Sequence, residues 1–306
     1  MNSFNNRVYG CAIIKSVNSN YNADFSGQPR KLPNGKVYAT DKALKYTIRN
    51  YMKEVLGERI FYFKSLDEIM APRTLDETYL HYFKEFQNEK DKDKSKLRLE
   101  VLENLLTCLD VRLFGGTYAG KTNISLHGTC QITPGVNKFT EDVIYSEQIM
   151  SPFKNSNEKS ADSTMTTLGT QSRLQEGHYV HNFSINPKNI EEDVARVEGQ
   201  GISQDDIDKL KEGLRRGASF YDSAAKAGTE NELLLWIQLK KGAKIVLPSL
   251  VDLVEIDENK VINLDKVYKL LSENHIKDSI EKIEIYYSDA HTQVKNIPQD
   301  AEKLQL

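Results

Sequence analysis

The segment from Thr40 to Gly57, TDKALKYTIRNYMKEVLG, most constrains what this chain can fold into. Thr40 is suited to accept from the free N–H groups of a first helical turn, and Gly57 to end the helix. At about 100° per residue, Leu44, Ile48, Tyr51, Met52 and Val55 fall on one face. Lys42, Lys45, Arg49 and Lys53 fall on a narrow stripe roughly 120° away. Such a helix packs on a sheet and presents aligned cations along its edge. Directly before it lies a Gly- and Pro-punctuated loop, NADFSGQPRKLPNGK, which adds Arg30, Lys31 and Lys36. From Met1 to Lys53 nine Lys and Arg stand against two acids, Asp24 and Asp41, although the whole chain is formally −3. With so few acids nearby, pairing along the helix is not the expected main use of the cations; a solvated basic face is the competing reading. Positive charge concentrated in the first sixth of an acidic chain points to a polyanion held there.

A chain of 306 residues with 39% hydrophobic and 28% charged residues has the composition of a soluble globular protein. No apolar run is long enough to span a bilayer, and the start, MNSFNNRVYG, lacks the apolar core of a signal peptide. Cys11, Cys108 and Cys130 are isolated in apolar surroundings, so buried, reduced thiols and a cytoplasmic location are expected. Arg7–Val17 reads as a central strand and Asn18–Ala39 as a long irregular loop. Ile60–Lys64 and Asp110–Phe114 read as short strands, and Ile124–Thr133 as a second central strand in which Gly128 marks a bulge or a close backbone approach. Leu75–Leu109 reads as two helices split by the charged turn Asn88–Lys96. The polar stretch Thr140–Gly177 cannot build a core of its own. His178–Asn186 returns as a strand, Ser203 caps a helix, Glu232–Lys241 is a buried strand, and a helix (Leu264–Asn274) and a strand (Ile283–Tyr287) follow. The alternation predicts an α+β fold: one antiparallel sheet with helices on one face and insertions, of which the ferredoxin-like split βαβ is the simplest form.

Catalytic signatures are missing from the sequence. The six histidines make no metal-spaced cluster, and His178 and His181, three apart in a strand, point to opposite faces. Neither GxSxG nor a Walker A motif occurs, and Gly115-Gly116 lacks dinucleotide spacing. Asp24, in the loop after the first strand, is placed to help hold a divalent ion, although a turn aspartate bonding its own backbone is the commoner use. No cofactor or metal is expected, and the chain is not expected to be an enzyme. Binding is better supported: strand, loop and helix converge at one end of the sheet to make a phosphate-tracking groove, with Tyr21, Phe25, Met165 and Leu168 available for stacking or wedging. A generic interaction domain without RNA is the alternative from another class.

The succession NADFSGQPR, YATDKALKYTIRNYM, DVRLFGG, ISLHGTCQI and LQEGHYV resembles the Cas-seven family of CRISPR proteins, nearest to the Csh subgroup of type I-B systems, over most of residues 7–190. The resemblance implies an RRM-like (ferredoxin-like) palm with inserted helical fingers, from residues 58–109, and a protruding thumb hairpin, from residues 140–177. It implies a non-catalytic Cascade backbone subunit that polymerises head-to-tail along a CRISPR guide RNA and presents it to target DNA. The implied partners are that guide RNA, neighbouring copies and other Cascade subunits, with no membrane. Carried onto this chain, Asn22, Arg30, Lys31, Lys42, Lys45 and Arg49 hold RNA, and Met165, Thr166, Thr167 and Leu168 act as thumb wedges. The alternative is a type III-like backbone subunit that cuts target RNA with a metal ion at Asp24.

Overall fold

The computed structural model describes residues 3–141, 143–150 and 168–306. β1 (Val8–Ser19) alternates Val8, Ala12 and Ile14 into one core with Tyr9, Cys11 and Ile13 into another, so it is buried on both faces. A two-residue β2 (Tyr38–Ala39) leads into α1 (Asp41–Glu54). Then come α2 (Leu75–Phe83), α3 (Lys94–Leu106) and α4 (Leu109–Phe114), the hairpin β3 (Gly116–Ala119) and β4 (Asn123–Leu126), and short β5 (Cys130–Ile132) and β6 (Gly135–Asn137). β7 (Ile144–Met150) and the long β8 (Leu168–Ile185) follow, then α5 (Glu191–Arg196), α6 (Gln204–Phe220) and β9 (Thr229–Leu239). The last part holds β10 (Glu255–Ile256), β11 (Ile262–Asn263), α7 (Asp265–Leu271), α8 (Asn274–Lys277), β12 (Ile280–Tyr287), β13 (Val294–Lys295) and β14 (Ala301–Leu304). The main sheet runs β14-β12-β9-β1-β8-β6-β2, with β5 and β7 also paired to β8. Its pairings are antiparallel except β12 with β14.

On one face of the sheet lie α1 and α6. Leu44, Ile48 and Met52 of α1 are fully buried there, each worth roughly 1.5–3 kcal/mol. The two helices cross closely because α6 offers Gly217 at the contact: a Cβ there would stand 2.9 Å from the Thr47 carbonyl oxygen. Helix α6 starts on Ser203, whose hydroxyl accepts from the Asp206 N–H at 3.1 Å in a capping box. The other face is also covered. Leu247, Leu250, Leu264, Val267 and Ile276 of the C-terminal segment pack on Ile13, Leu235 and Ile285. The expectation of helices on one face alone is therefore corrected, because β1 and β9 are apolar on both sides. A third cluster, including Phe61, Tyr79, Val101, Leu105, Tyr118 and Leu126, joins α2, α3 and the β3–β4 hairpin.

Three local expectations change. Asp110–Phe114 is helix α4, not a strand; its five residues fit either period, and the buried Asp110 carboxylate binds the N–H groups of Phe61 (2.8 Å) and Tyr62 (3.0 Å). That same carboxylate takes donors that a strand at Ile60–Lys64 would have used, and no strand forms there. Ile124–Thr133 is split into β4 and β5 at Gly128, where a Cβ would meet the Gly115 nitrogen at 2.1 Å, the close approach its glycine signals. The second central strand is instead β8, whose polar first half extends the strand read at His178–Asn186. His178 and His181 do point to opposite faces, and Cys11, Cys108 and Cys130 are buried free thiols. No helix among the described residues is long and apolar enough to cross a membrane.

Candidate nucleic-acid interface

The chain leaving β1 folds back twice before α1. The first turn is built on Asp24, whose Oδ1 accepts from the Ser26 N–H (2.8 Å), the Ser26 hydroxyl (2.7 Å) and the Gln28 N–H (3.0 Å), while Ala23 bridges to Pro29. The Ser26 hydroxyl, then the backbone donors, hold this carboxyl below its ordinary range. The same turn occurs twice more. Asp67 accepts from the N–H groups of Ile69 and Ala71, and Asp257 from those of Asn259 and Val261. In all three, the residue three after the aspartate has positive φ: Gly27 (80°), Met70 (63°) and Lys260 (64°). Asp24 is thus held as a turn-forming acceptor. Among the described residues no three His, Cys, Asp or Glu side chains gather as a metal site.

The second turn pairs Lys31 with Val37 across Asn34 and Gly35. The long irregular loop of the sequence reading is thus two tight hairpins, which fix where their cations stand. Lys31, Lys36 and Lys42 are exposed, and no ion pair forms on any of them among the described residues. Phe25 projects fully exposed from the first tip, with the Arg30 guanidinium 5.9 Å from its ring centre. Arg30 Nε also donates to the Ala23 carbonyl at 3.0 Å. Asn22 ties the loop to α1: its Oδ1 accepts from the Thr40 N–H (2.9 Å) and hydroxyl (3.0 Å). Thr40 therefore stands at the N-cap position without giving α1 a side-chain cap.

The cation stripe of α1 divides in two. Lys42 faces solvent, but Lys45 pairs with Asp41 at 3.1 Å and lies 5.7 Å from the Phe114 ring centre. Arg49 Nε binds the buried Asp110 at 3.0 Å, with its guanidinium 5.1 Å from the same ring centre. Lys53 pairs with Glu54. Acids do engage the stripe, and Asp110 comes from outside the helix, where no local count finds it. Tyr21, considered for stacking, is fully buried, its hydroxyl 3.2 Å from His181 Nε2. Sequence reasoning missed Lys226. Its Nζ donates to the Tyr21 carbonyl at 2.5 Å beside the loop, and burial there pushes its pKa down.

Beside this loop stands the β7–β8 hairpin. β1 leaves the pairing at Ser19–Leu174, and from there outward the hairpin is two-stranded, Tyr145 opposite Arg173 through Met150 opposite Leu168. Met150 and Ile149 are exposed. Of the four residues considered as wedges, Met165, Thr166 and Thr167 lie outside the described residues, and Leu168 begins β8. Basic loop, exposed phenylalanine and exposed hairpin thus share one end of the sheet.

Among curated proteins none matches this chain. Two solved structures are similar in fold at 11% identity. One is described as a CRISPR RNA-guided surveillance complex (TM-score 0.56, covering 97% of this chain and 94% of the other). The other is described as a CRISPR RNA-guided surveillance complex, pre-nicking (TM-score 0.55, covering 98% and 96%). The sequence pattern of one family, described as CRISPR-associated protein Cas7, matches residues 6–285, and the chain belongs to that family.

Proposed function

We propose that this chain is a non-catalytic backbone subunit of a type I-B Cascade complex, polymerising head-to-tail along a CRISPR guide RNA in the cytoplasm. The strand order and directions support an RRM-like palm, with the helical segment as fingers and the β7–β8 hairpin as thumb. The observation that carries the reading is the set of exposed cations Lys31, Lys36 and Lys42, without an ion pair among the described residues, on the same loop and helix start as exposed Phe25, in a member of this family. Such a surface suits single-stranded RNA gripped by its phosphates and stacked through its bases, without base-specific reading. Sequence discrimination then falls to pairing between guide and target DNA. A heterologous interface that does not close would let one chain build a filament on the guide. Because Arg49 and Lys45 are committed to Asp110, Asp41 and Phe114, the contact is assigned chiefly to Lys31, Lys36, Lys42, Arg30 and Asn22. Co-expression with a CRISPR array and the other Cascade subunits tests the reading. A large assembly carrying protected RNA of defined length is expected; a monomer free of nucleic acid would overturn it.

A further inference from the structure

The basic loop and the exposed hairpin are joined by a set of side-chain hydrogen bonds. Gln28 Nε2 donates to the Ser172 hydroxyl at 2.6 Å and reaches the Ser146 hydroxyl at 3.4 Å. The two serines, opposite each other on β8 and β7, are 2.7 Å apart through their hydroxyls. Asn20 closes the set from below: its Nδ2 donates to the Gly27 carbonyl of the loop (3.0 Å) and to the Ser172 carbonyl of the hairpin (3.2 Å). Both Asn20 and Ser172 are buried. Asn18 engages the next pair on the same two strands: its Oδ1 accepts from the Tyr145 hydroxyl at 3.2 Å, and its carbonyl from Arg173 at 2.9 Å.

These bonds fall where the hairpin loses its third strand. At Leu174 it is still anchored in the core with Ser19 beside it; beyond Ser146 and Ser172, the residues of β7 are exposed. A two-stranded ribbon without a packed face has little to fix its direction. Beside the bonds from Asn18 and Asn20, the side chain that reaches both hairpin serines is that of Gln28, a residue of the loop itself, held by the Asp24 turn through its own N–H.

We propose that Gln28 is a positioning residue that locks the β7–β8 hairpin to the Asn22–Arg30 loop, so that both meet the guide RNA as one rigid body. The proposal rests on the reading of loop and hairpin as RNA contacts. Its structural half is testable without RNA.

In hydrogen exchange on the purified full chain, Gln28→Ala is expected to speed exchange of amides in 145–149 and 169–173 by about tenfold, with those of β1 and α1 unchanged. Gln28→Glu, whose carboxylate accepts from both serine hydroxyls, is expected to restore protection. Unchanged hairpin exchange in Gln28→Ala overturns the lock. In the assembled complex, Gln28→Ala is expected to blur the regular nuclease footprint while leaving the salt dependence of RNA binding intact, since no cation is lost. Faster exchange with an unaltered footprint overturns the role in RNA contact. Replacing Lys31, Lys36 and Lys42 together by Ala separates this from failure of the parent reading: undiminished RNA binding in that variant sinks RNA contact by the loop, whatever the exchange result.

Discussion

Arg49 Nε lies 3.0 Å from Oδ2 of Asp110, a carboxylate with no solvent exposure, and this pair ties α1 to α4. Asp110 also receives the N–H groups of Phe61 and Tyr62, so it holds three segments together. Removing Arg49 leaves a buried charge facing only two amides. Arg49→Ala is therefore expected to cost about 3–5 kcal/mol in urea unfolding. A loss under 1 kcal/mol would show that Asp110 finds water instead. RNA binding by this variant reports on folding before it reports on contact.

Lys31, Lys36 and Lys42 carry the opposite expectation, because each is exposed and none is committed to an acid among the described residues. Replacing all three by Ala should leave unfolding stability within about 0.5 kcal/mol, as is usual for surface changes. RNA affinity should fall for every sequence tested. The slope of log affinity against log salt should flatten by about 0.7 per phosphate contact removed. A steep, unchanged slope would place the phosphates elsewhere.

Which parts of this arrangement the amino-acid order reveals depends on how far apart the partners are. Helix α1 is legible because Leu44, Ile48, Tyr51 and Met52 repeat at its own period. Gly128 is legible because a glycine within a strand-like run signals a backbone approach, here that of Gly115. Asp110 is not, since its partners lie 48 to 61 positions away and DVRLF suits helix and strand equally. The outer half of β8 is hidden for a different reason: a two-stranded ribbon buries little, so Thr170, Gln171 and Ser172 carry no apolar alternation. Lys226 reaches the site, and Gln28 of the loop reaches the hairpin, only through tertiary contacts, at Tyr21 and Ser172.

Asp24 bears on the choice between scaffold and nuclease. Asp67 and Asp257 occupy the same place in two other turns, so the loop geometry alone accounts for an aspartate there. Complementary RNA incubated with the assembled complex and a divalent ion is expected to stay intact. Asp24→Asn, which keeps an acceptor oxygen, should preserve the loop, whereas Asp24→Ala should raise amide exchange at Ser26 and Gln28. Regular cuts that vanish in Asp24→Asn would establish a cleaving subunit instead.

His181 should make the fold sensitive to acid. Its Nδ1 lies 3.0 Å from the Thr133 carbonyl, which only accepts, so Nδ1 carries the proton and Nε2 accepts from the Tyr21 hydroxyl. Burial lowers its pKa to about 4 from the ordinary 6.5. Between those values the unfolded chain takes up a proton that the folded chain refuses, so stability falls as pH drops through that window. The slope approaches about 1.4 kcal/mol per pH unit and accumulates roughly 3 kcal/mol. Urea unfolding from pH 7 to 4 should show a slope smaller by one proton in His181→Gln than in the native chain. Parallel curves would mean that His181 ionises alike in both states.

Phe25 isolates stacking from charge. It is fully exposed, with the Arg30 guanidinium 5.9 Å from its ring centre, so Phe25→Ala should leave unfolding stability within about 0.5 kcal/mol. A base stacked on an aromatic ring contributes about 1–3 kcal/mol, so RNA affinity should fall roughly 5- to 150-fold per binding site. Because no phosphate contact is removed, the salt slope should match that of the native chain. Phe25→Trp, which keeps an aromatic face, should retain most of the affinity. Equal affinity for Phe25→Ala and the native chain would remove the loop tip from the RNA path and leave the lysines to act by charge alone.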